Sequence, residues 1–393
     1  MAIITRTLQT ILLQSAQYFP VIGIFGPRQS GKTTCAKMTF SNYIYITLED
    51  LDTRAQAQQD PRGFLESHLH HQEIIIDEFQ YIPELLSYMQ TIVDREKKKG
   101  YFILTGSQHF LMSQTIVQSL AGRIAIHTLL PFSFEELHSA DLLPSQAGEL
   151  ICKGFYPSVH VDSIPTGLWY NSYIASYIER DVRQIIAVEN LSLFRTFLKM
   201  CADRVGQLLN VSSLANDCGV SDKTIKRWLF LLETSFIIYL LQPYHRNFGK
   251  RLVKSPKLYF YDVGLASYLL NIETPDQLFF STHRGGLFES MIISEMQKMS
   301  FYAGKRSDLY FWRDHSGNEI DCILEKNMAQ LIPIEIKSGQ TIQSNFSKGI
   351  EYWYTTTRLE VPKGSIVYAG EQSLEKKNVH IIGWKELKKI FGE

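Results

Sequence analysis

From Ile3 to about Leu137, short apolar runs alternate with longer stretches whose apolar residues recur every three or four positions. The runs Val21 to Phe25, Tyr43 to Leu48, Glu73 to Ile76 and Tyr101 to Leu104 are of strand length and largely apolar. That predicts strands buried on both faces of a parallel sheet, with helices between them. A loop follows near Asp141 to Gly148. Trp169 to Met200 then reads as helical, linking two domains or forming a lid. Val211 to Asp262 gives short helices, a turn and a strand pair at Phe236 to Leu241 and Leu258 to Tyr261. From Gly286 a helix leads into strands at Leu309 to Trp312, Glu319 to Glu325 and Leu331 to Lys337, the pattern of a second α/β unit. The expected segments are therefore 1–140, 141–200, 201–265 and 266–393.

Composition narrows the picture in three respects. At 393 residues the chain exceeds what one hydrophobic core usually organises. Forty basic and forty acidic residues cancel, so any nucleic-acid contact has to come from a local patch and not from the field of the whole molecule. No stretch approaches twenty apolar residues, and the five cysteines, Cys35, Cys152, Cys201, Cys218 and Cys322, lack the short paired spacings of a zinc site. These features lead us to expect a cytoplasmic protein with reduced thiols and no membrane association.

The first candidate chemistry lies where the first strand ends. Gly26, Pro27, Arg28, Gln29, Ser30, Gly31, Lys32 and Thr33, followed by Thr34, match the P-loop pattern between an apolar strand and a helix start. Glycines let the backbone close round phosphates, amide N–H groups and a helix N-terminus face the anion, and Lys32 reaches the terminal phosphates. Thr33 would ligate Mg²⁺, so the expected cofactors are ATP and Mg²⁺. Glu73 to Glu78 is an apolar run ending in two carboxylates, which makes Asp77 a metal-holding group and Glu78 the residue that orients the attacking water. After the next strand come Ser107 and Gln108, candidate sensors of the terminal phosphate. Arg123 is a candidate arginine finger, acting in cis or on a neighbouring subunit, with a structural ion pair as the alternative.

Further along, Ser213 to Ile225 reads as a helix, a glycine turn and a Ser-capped second helix, a helix-turn-helix. Ile225, Trp228, Leu229 and Leu232 would face inward and Lys223, Lys226 and Arg227 outward. Arg246, Lys250, Arg251, Lys254 and Lys257 add a local basic excess suited to phosphate contacts. A protein-packing role with a solvated basic face is the alternative.

In the C-terminal unit, Asp321 is followed by Glu335-Ile336-Lys337. On a strand, Glu335 and Lys337 share a face, so with Asp321 they form the Asp…Glu-x-Lys arrangement of a metal-dependent nuclease. Glu289, on the helix beginning near Gly286, is a plausible fourth member. Asp321, Glu335 and Glu289 are the expected metal ligands and Lys337 the catalytic ammonium. His68, His70 and His71 lack acidic or cysteine companions and read as a polar helix end.

These residues, together with Ile74 to Gln80, Leu104 to Gln108, Glu179 to Val182, Lys254 to Leu265 and Gly286 to Glu289, resemble a family of bacterial and archaeal ATPases. In that family an AAA-type N-terminal domain precedes the domain of unknown function numbered 4143. The resemblance covers nearly the whole chain. It implies an α/β P-loop core, a winged helix-turn-helix and a restriction-endonuclease-like domain. The co-occurrence of the three modules leads us to expect ATP hydrolysis coupled to DNA, and Arg123 acting across subunits would make the protein a homo-oligomer. The rival from another class is a nucleotide-dependent switch that binds a protein partner.

Overall fold

Five strands build the sheet that carries the P-loop: β1 (Val21–Phe25), β2 (Ile44–Thr47), β3 (Ile74–Asp77), β4 (Phe102–Gly106) and β5 (Ile124–Thr128). They are ordered β2-β3-β4-β1-β5, and every pairing is parallel. In this computed structural model the described residues are 3–69, 72–107, 119–178, 191–244, 254–327, 330–357, 363–376 and 379–392. The chain divides into two compact units: Met1–Ala140 with Thr234–Phe236 and Lys298–Arg306, and Asp141–Glu233 with Ile237–Gln297 and Ser307–Glu393.

β1, β3 and β4 are buried at every position, as their uninterrupted apolar sequences require. Because β4 lies between β1 and β3, the C-terminal ends of these three strands stand side by side. The P-loop leaves β1 at that edge and enters the helix Lys32–Thr39. The helix Gln9–Ala16 and this P-loop helix bury Leu8, Leu12, Cys35 and Ala36 against Ile22, Ile24, Ile75 and Ile103. Four of the five strands match the apolar runs read from the sequence. The fifth, β5, is only partly buried and alternates too weakly to stand out.

In the second unit the helices Val211–Cys218 and Asp222–Thr234 flank Gly219, whose φ of 66° ends the first of them. The antiparallel pair β6 (Ile238–Leu241) and β7 (Lys257–Phe260) follows. Ile225, Trp228, Leu229 and Leu232 are buried, while Lys223, Lys226 and Arg227 are exposed, as the helical period predicts. Of the basic excess, Arg246, Lys250 and Arg251 lie outside the described residues.

Within the segment expected as a linker or lid, residues 155–173 pack into this unit. Tyr156, Trp169, Tyr170 and Tyr173 form a buried aromatic cluster, with Trp169 and Tyr173 stacked at 4.9 Å. Asp262 fastens the cluster to the segment after β7. It accepts from the Tyr170 hydroxyl at 2.5 Å and from the Phe155 amide at 2.7 Å, and it caps the helix Val263–Leu269. Residues 179–182 lie outside the described residues.

The C-terminal sheet is mixed and six-stranded. Its strands β8 (Leu309–Arg313), β9 (Glu319–Asn327), β10 (Gln330–Lys337), β11 (Gly364–Tyr368), β12 (Leu374–Glu375) and β13 (Val379–Gly383) are ordered β12-β13-β11-β10-β9-β8. The helix Lys348–Thr357 buries Ile350 and Trp353 against Ile320, Ile323, Leu331 and Ile366. All five cysteines are free and buried, in keeping with the reading of reduced thiols. No helix among the described residues is long and apolar enough to cross a membrane.

Candidate functional site

The P-loop is built by close backbone approach. A side chain at Gly26 would place its Cβ 2.0 Å from the Leu129 carbonyl oxygen, so only glycine lets the chain turn there. Gly31 has φ 90°, Gln29 φ 60°, and the helix opens at Lys32. Lys32 is buried and its Nζ donates to the Pro27 carbonyl across the loop at 2.7 Å. Ser30 is fully buried, and its hydroxyl has no hydrogen-bond partner among the described residues. Arg28 is half-buried, while Gln29 and Thr34 are exposed.

The strand ends converge on this loop. Thr33 Oγ1 donates to both oxygens of Asp77, at 2.9 and 3.0 Å. Asp77 also accepts from the Tyr45 hydroxyl at 2.8 Å and from Thr105 at the end of β4. Its carboxylate is therefore fixed from three sides. Glu78 lies in the left-handed region, φ 54°, which turns its side chain out of strand alternation. The Glu78 carboxylate accepts from Gln80 Nε2 and, at 3.3 Å, from Ser107 Oγ; Gln80 also donates to Ser107 at 3.2 Å. Gln80 Oε1 is buried with no partner among the described residues. Gln80 has no role of its own in the sequence pattern, although a carboxamide two residues after Glu78 is the signal that points to it. Gln108 lies outside the described residues.

A second residue escaped the sequence. Arg6 is 4% exposed and reaches the back of the loop. It donates to Glu136 at 3.0 Å, to the Ser30 carbonyl at 2.6 Å and to the Leu130 carbonyl at 2.6 Å. Burial disfavours its charge, but Glu136 more than offsets this and holds Arg6 well above the ordinary guanidinium value. The guanidinium thus fixes one carbonyl of the P-loop.

Arg123 does not join these groups. It precedes β5, its carbonyl accepts from the Val21 amide, and β1 and β5 are parallel. Val21 begins β1 and the P-loop follows Phe25, so Arg123 stands at the opposite edge of the sheet from the loop, about 13 Å of strand away. Its guanidinium binds Asp94 through two contacts, at 2.6 and 2.8 Å. The expectation of a finger acting in cis is corrected accordingly.

The second constellation lies in the C-terminal unit. The register Ile334↔Cys322 between β9 and β10 brings Glu335 beside Asp321. Lys337 Nζ contacts Asp321 at 3.2 Å and also Glu335, and the Ile336 amide donates to Asp321 at 2.7 Å. Carboxylate oxygens of Glu289, Glu319 and Asp321 all lie within 4.8 Å of one another. The tight triad therefore contains Glu319, not the expected Glu335, which faces Lys337. Glu319 shares a strand face with Asp321 at two-residue spacing. Gly349 gives Glu335 room, since a Cβ there would lie 2.0 Å from its carboxylate oxygen.

Lys257 enters the same cluster. Expected on a basic DNA-facing surface, it is 2% exposed and donates to Glu289 at 2.9 Å while also ion-pairing with Glu319. Tyr259 donates to the same Glu289 oxygen. Burial pushes Asp321 up, but Lys337 and Lys257 outweigh it and hold that carboxyl below its usual range. Burial dominates at Glu289 and Glu335 and raises both. A resident divalent ion needs these oxygens free at about 2.0–2.6 Å. The buried Lys257 ammonium and the half-buried Lys337 ammonium already use them, so the donor set does not fit such an ion as built.

Comparison with known proteins matches three segments of the chain. Residues 18–138 match the family model of an AAA domain, and residues 145–276 and 284–387 match two domains of unknown function, 8612 and 4143 respectively. An uncharacterized protein of Mycobacterium tuberculosis is 28% identical over 357 residues, covering 90% of this chain and 77% of the relative. An uncharacterized protein of Methanocaldococcus jannaschii is 21% identical over 388 residues, covering 91% of this chain and 83% of the relative. Among solved structures, the Walker-type ATPase of Pyrococcus abyssi aligns with TM-score 0.45 at 15% identity, covering 67% of this chain and 94% of that one.

Proposed function

Starting from a chain that belongs to the AAA-type P-loop ATPases with a C-terminal domain of unknown function 4143, we propose that its ATP turnover is coupled to DNA. The observation that carries the ATPase part is the fixed Thr33–Asp77 contact beneath a loop whose Ser30 hydroxyl and Gly26 cradle suit a phosphate. Thr33 and Asp77 would hold Mg²⁺, which neutralises charge on the phosphates when bound. Main-chain amides of Gly26 to Thr33, with Lys32, bind and orient the triphosphate. Glu78, aimed by Gln80 and Ser107, orients the attacking water and accepts its proton. These contacts are preorganised, so little reorganisation is left to the reacting step.

The DNA part rests on Lys223, Lys226 and Arg227, exposed together on the second helix of the helix-turn-helix. We read this module with β6 and β7 as a winged helix and the C-terminal sheet as a restriction-endonuclease-like scaffold. A helix presenting three cations outward and an apolar stripe inward suits a groove of the duplex. The test is ATP turnover with and without duplex, branched and single-stranded DNA. Stimulation or tight binding by one of them is the expected result; indifference to all three rejects the coupling. A nucleotide-dependent switch acting on a protein partner is the second reading, favoured by the exposed neighbours Phe279 and Phe280, the latter 84% exposed.

A further inference from the structure

The acidic cluster of the C-terminal unit has the residues of a metal site and the contacts of a different one. Glu289 from the helix Arg284–Tyr302 and Glu319 and Asp321 from β9 bring three carboxylates within reach of one point. Lys257, at the start of β7, inserts its ammonium between two of them, 2.9 Å from Glu289 and in contact with Glu319. Lys337 does the same for Asp321 and Glu335. With Arg313 on the outer oxygen of Glu319 at 3.0 Å, four carboxylates face three cations.

We propose that the Lys257 ammonium is the resident cation of this cluster, occupying the position a divalent metal would take and making the domain a metal-free ion-paired scaffold. An ammonium has three donors and no requirement for octahedral geometry, so it can serve these carboxylates where they stand, without the rearrangement that freeing their oxygens for Mg²⁺ would need. The backbone supports the same arrangement. Gly206, with φ 77°, approaches Gly286 so closely that a Cβ would sit 3.1 Å from its Cα, and the Glu289 helix runs on from there. The Gly206 amide also donates to the Leu258 carbonyl of β7 at 2.8 Å, so β7 and that helix are tied together beside the Lys257–Glu289 contact. The 2% exposure of Lys257 keeps it from a ligand phosphate, so its charge is spent inside the cluster.

The experiment is Mn²⁺ binding to the full chain without nucleotide, read by water-proton relaxation and by the shift of the melting temperature. Wild type and Asp321→Asn should give superimposable titrations, because any ion held at Thr33 and Asp77 contributes equally to both. Lys257→Met should gain one site, at least tenfold tighter than anything at this cluster in the wild type, and Lys257→Met with Asp321→Asn should lose it. Saturable binding by the wild type that Asp321→Asn abolishes overturns the proposal. A folded Lys257→Met protein that gains no site overturns it as well. If Lys257→Met does not fold, the comparison of wild type with Asp321→Asn decides alone. The outcome is independent of ATP turnover.

Discussion

Arg6 and Glu136, 130 positions apart, form a buried ion pair behind the P-loop, and the same guanidinium holds the Ser30 carbonyl. Glu136 is itself fixed by the capping box it forms with Ser133. The P-loop, the segment that follows β5 and the segment before the helix Gln9–Ala16 therefore meet at one group. Removing one partner leaves the other charged and buried. We expect Glu136→Gln or Arg6→Met to destabilise the first unit by about 3–5 kcal/mol. Nucleotide affinity should fall with it, because the loop loses the group that fixes its carbonyl. Hydrogen exchange of the β1 and β4 amides, with binding of a fluorescent ATP analogue, measures both. Unchanged protection in the two variants contradicts this account of the pair.

Gln80 should act on turnover and not on affinity. Its amide fixes the Glu78 carboxylate and Ser107, and it touches no P-loop residue in the geometry described. Gln80→Ala is expected to lower kcat by about 10²-fold with KM little changed, since a misaimed base loses most of a general-base contribution. Gln80→Glu should be no better, because it sets a second carboxylate against Glu78. Steady-state kinetics separate the outcomes, and a rise in KM alone would assign Gln80 to binding instead.

His127 gives the sheet a pH dependence of known sign. Burial pushes its imidazole down from 6.5 to about 4, and its ring nitrogen meets the Ser15 hydroxyl at 2.9 Å. Between those values the unfolded chain holds the proton more tightly, so stability is fully present above pH 6.5 and falls as the pH drops toward 4. The loss attributable to this group is about 3 kcal/mol. Urea midpoints at pH 7.5 and 4.5 should differ less in His127→Gln than in the wild type. Equal differences in the two proteins would remove His127 as the cause.

If the second helix of the helix-turn-helix meets phosphates, replacing Lys223, Lys226 and Arg227 with alanine should flatten the salt dependence of DNA binding by about 2–3 in logarithmic slope. Anisotropy titrations from low to moderate salt read that slope. An unaltered slope would place the DNA contact elsewhere.

Much of the first unit was legible because its chemistry is local. The P-loop, the Asp77-Glu78 strand end and four strands, three of them fully buried, are contiguous patterns, and so is the alternation of Ile225, Trp228 and Leu229 with Lys223, Lys226 and Arg227. What escaped was set by distant partners. Nothing near Arg6 announces Glu136, and the Lys257-Leu258-Tyr259-Phe260 run reads as a basic strand until Glu289 and Glu319 bury the lysine. β11 and β13, as short as β1, were not read from the sequence, because no chemistry-bearing motif marks their ends as the P-loop marks the end of β1. For Arg123 the structure shows the ion-pair alternative, with Asp94, and parallel strands put its end of β5 level with the start of β1, away from the P-loop.

The central claim is that Glu78 works on water at a triphosphate gripped by Lys32 and by the Thr33–Asp77 pair. It is tested most directly by measuring ATP binding and hydrolysis side by side for the wild type, Glu78→Gln and Lys32→Ala. The account predicts hydrolysis by the wild type, retained binding with turnover reduced by at least about 10²-fold in Glu78→Gln, and loss of binding in Lys32→Ala. Turnover in Glu78→Gln equal to that of the wild type would contradict it.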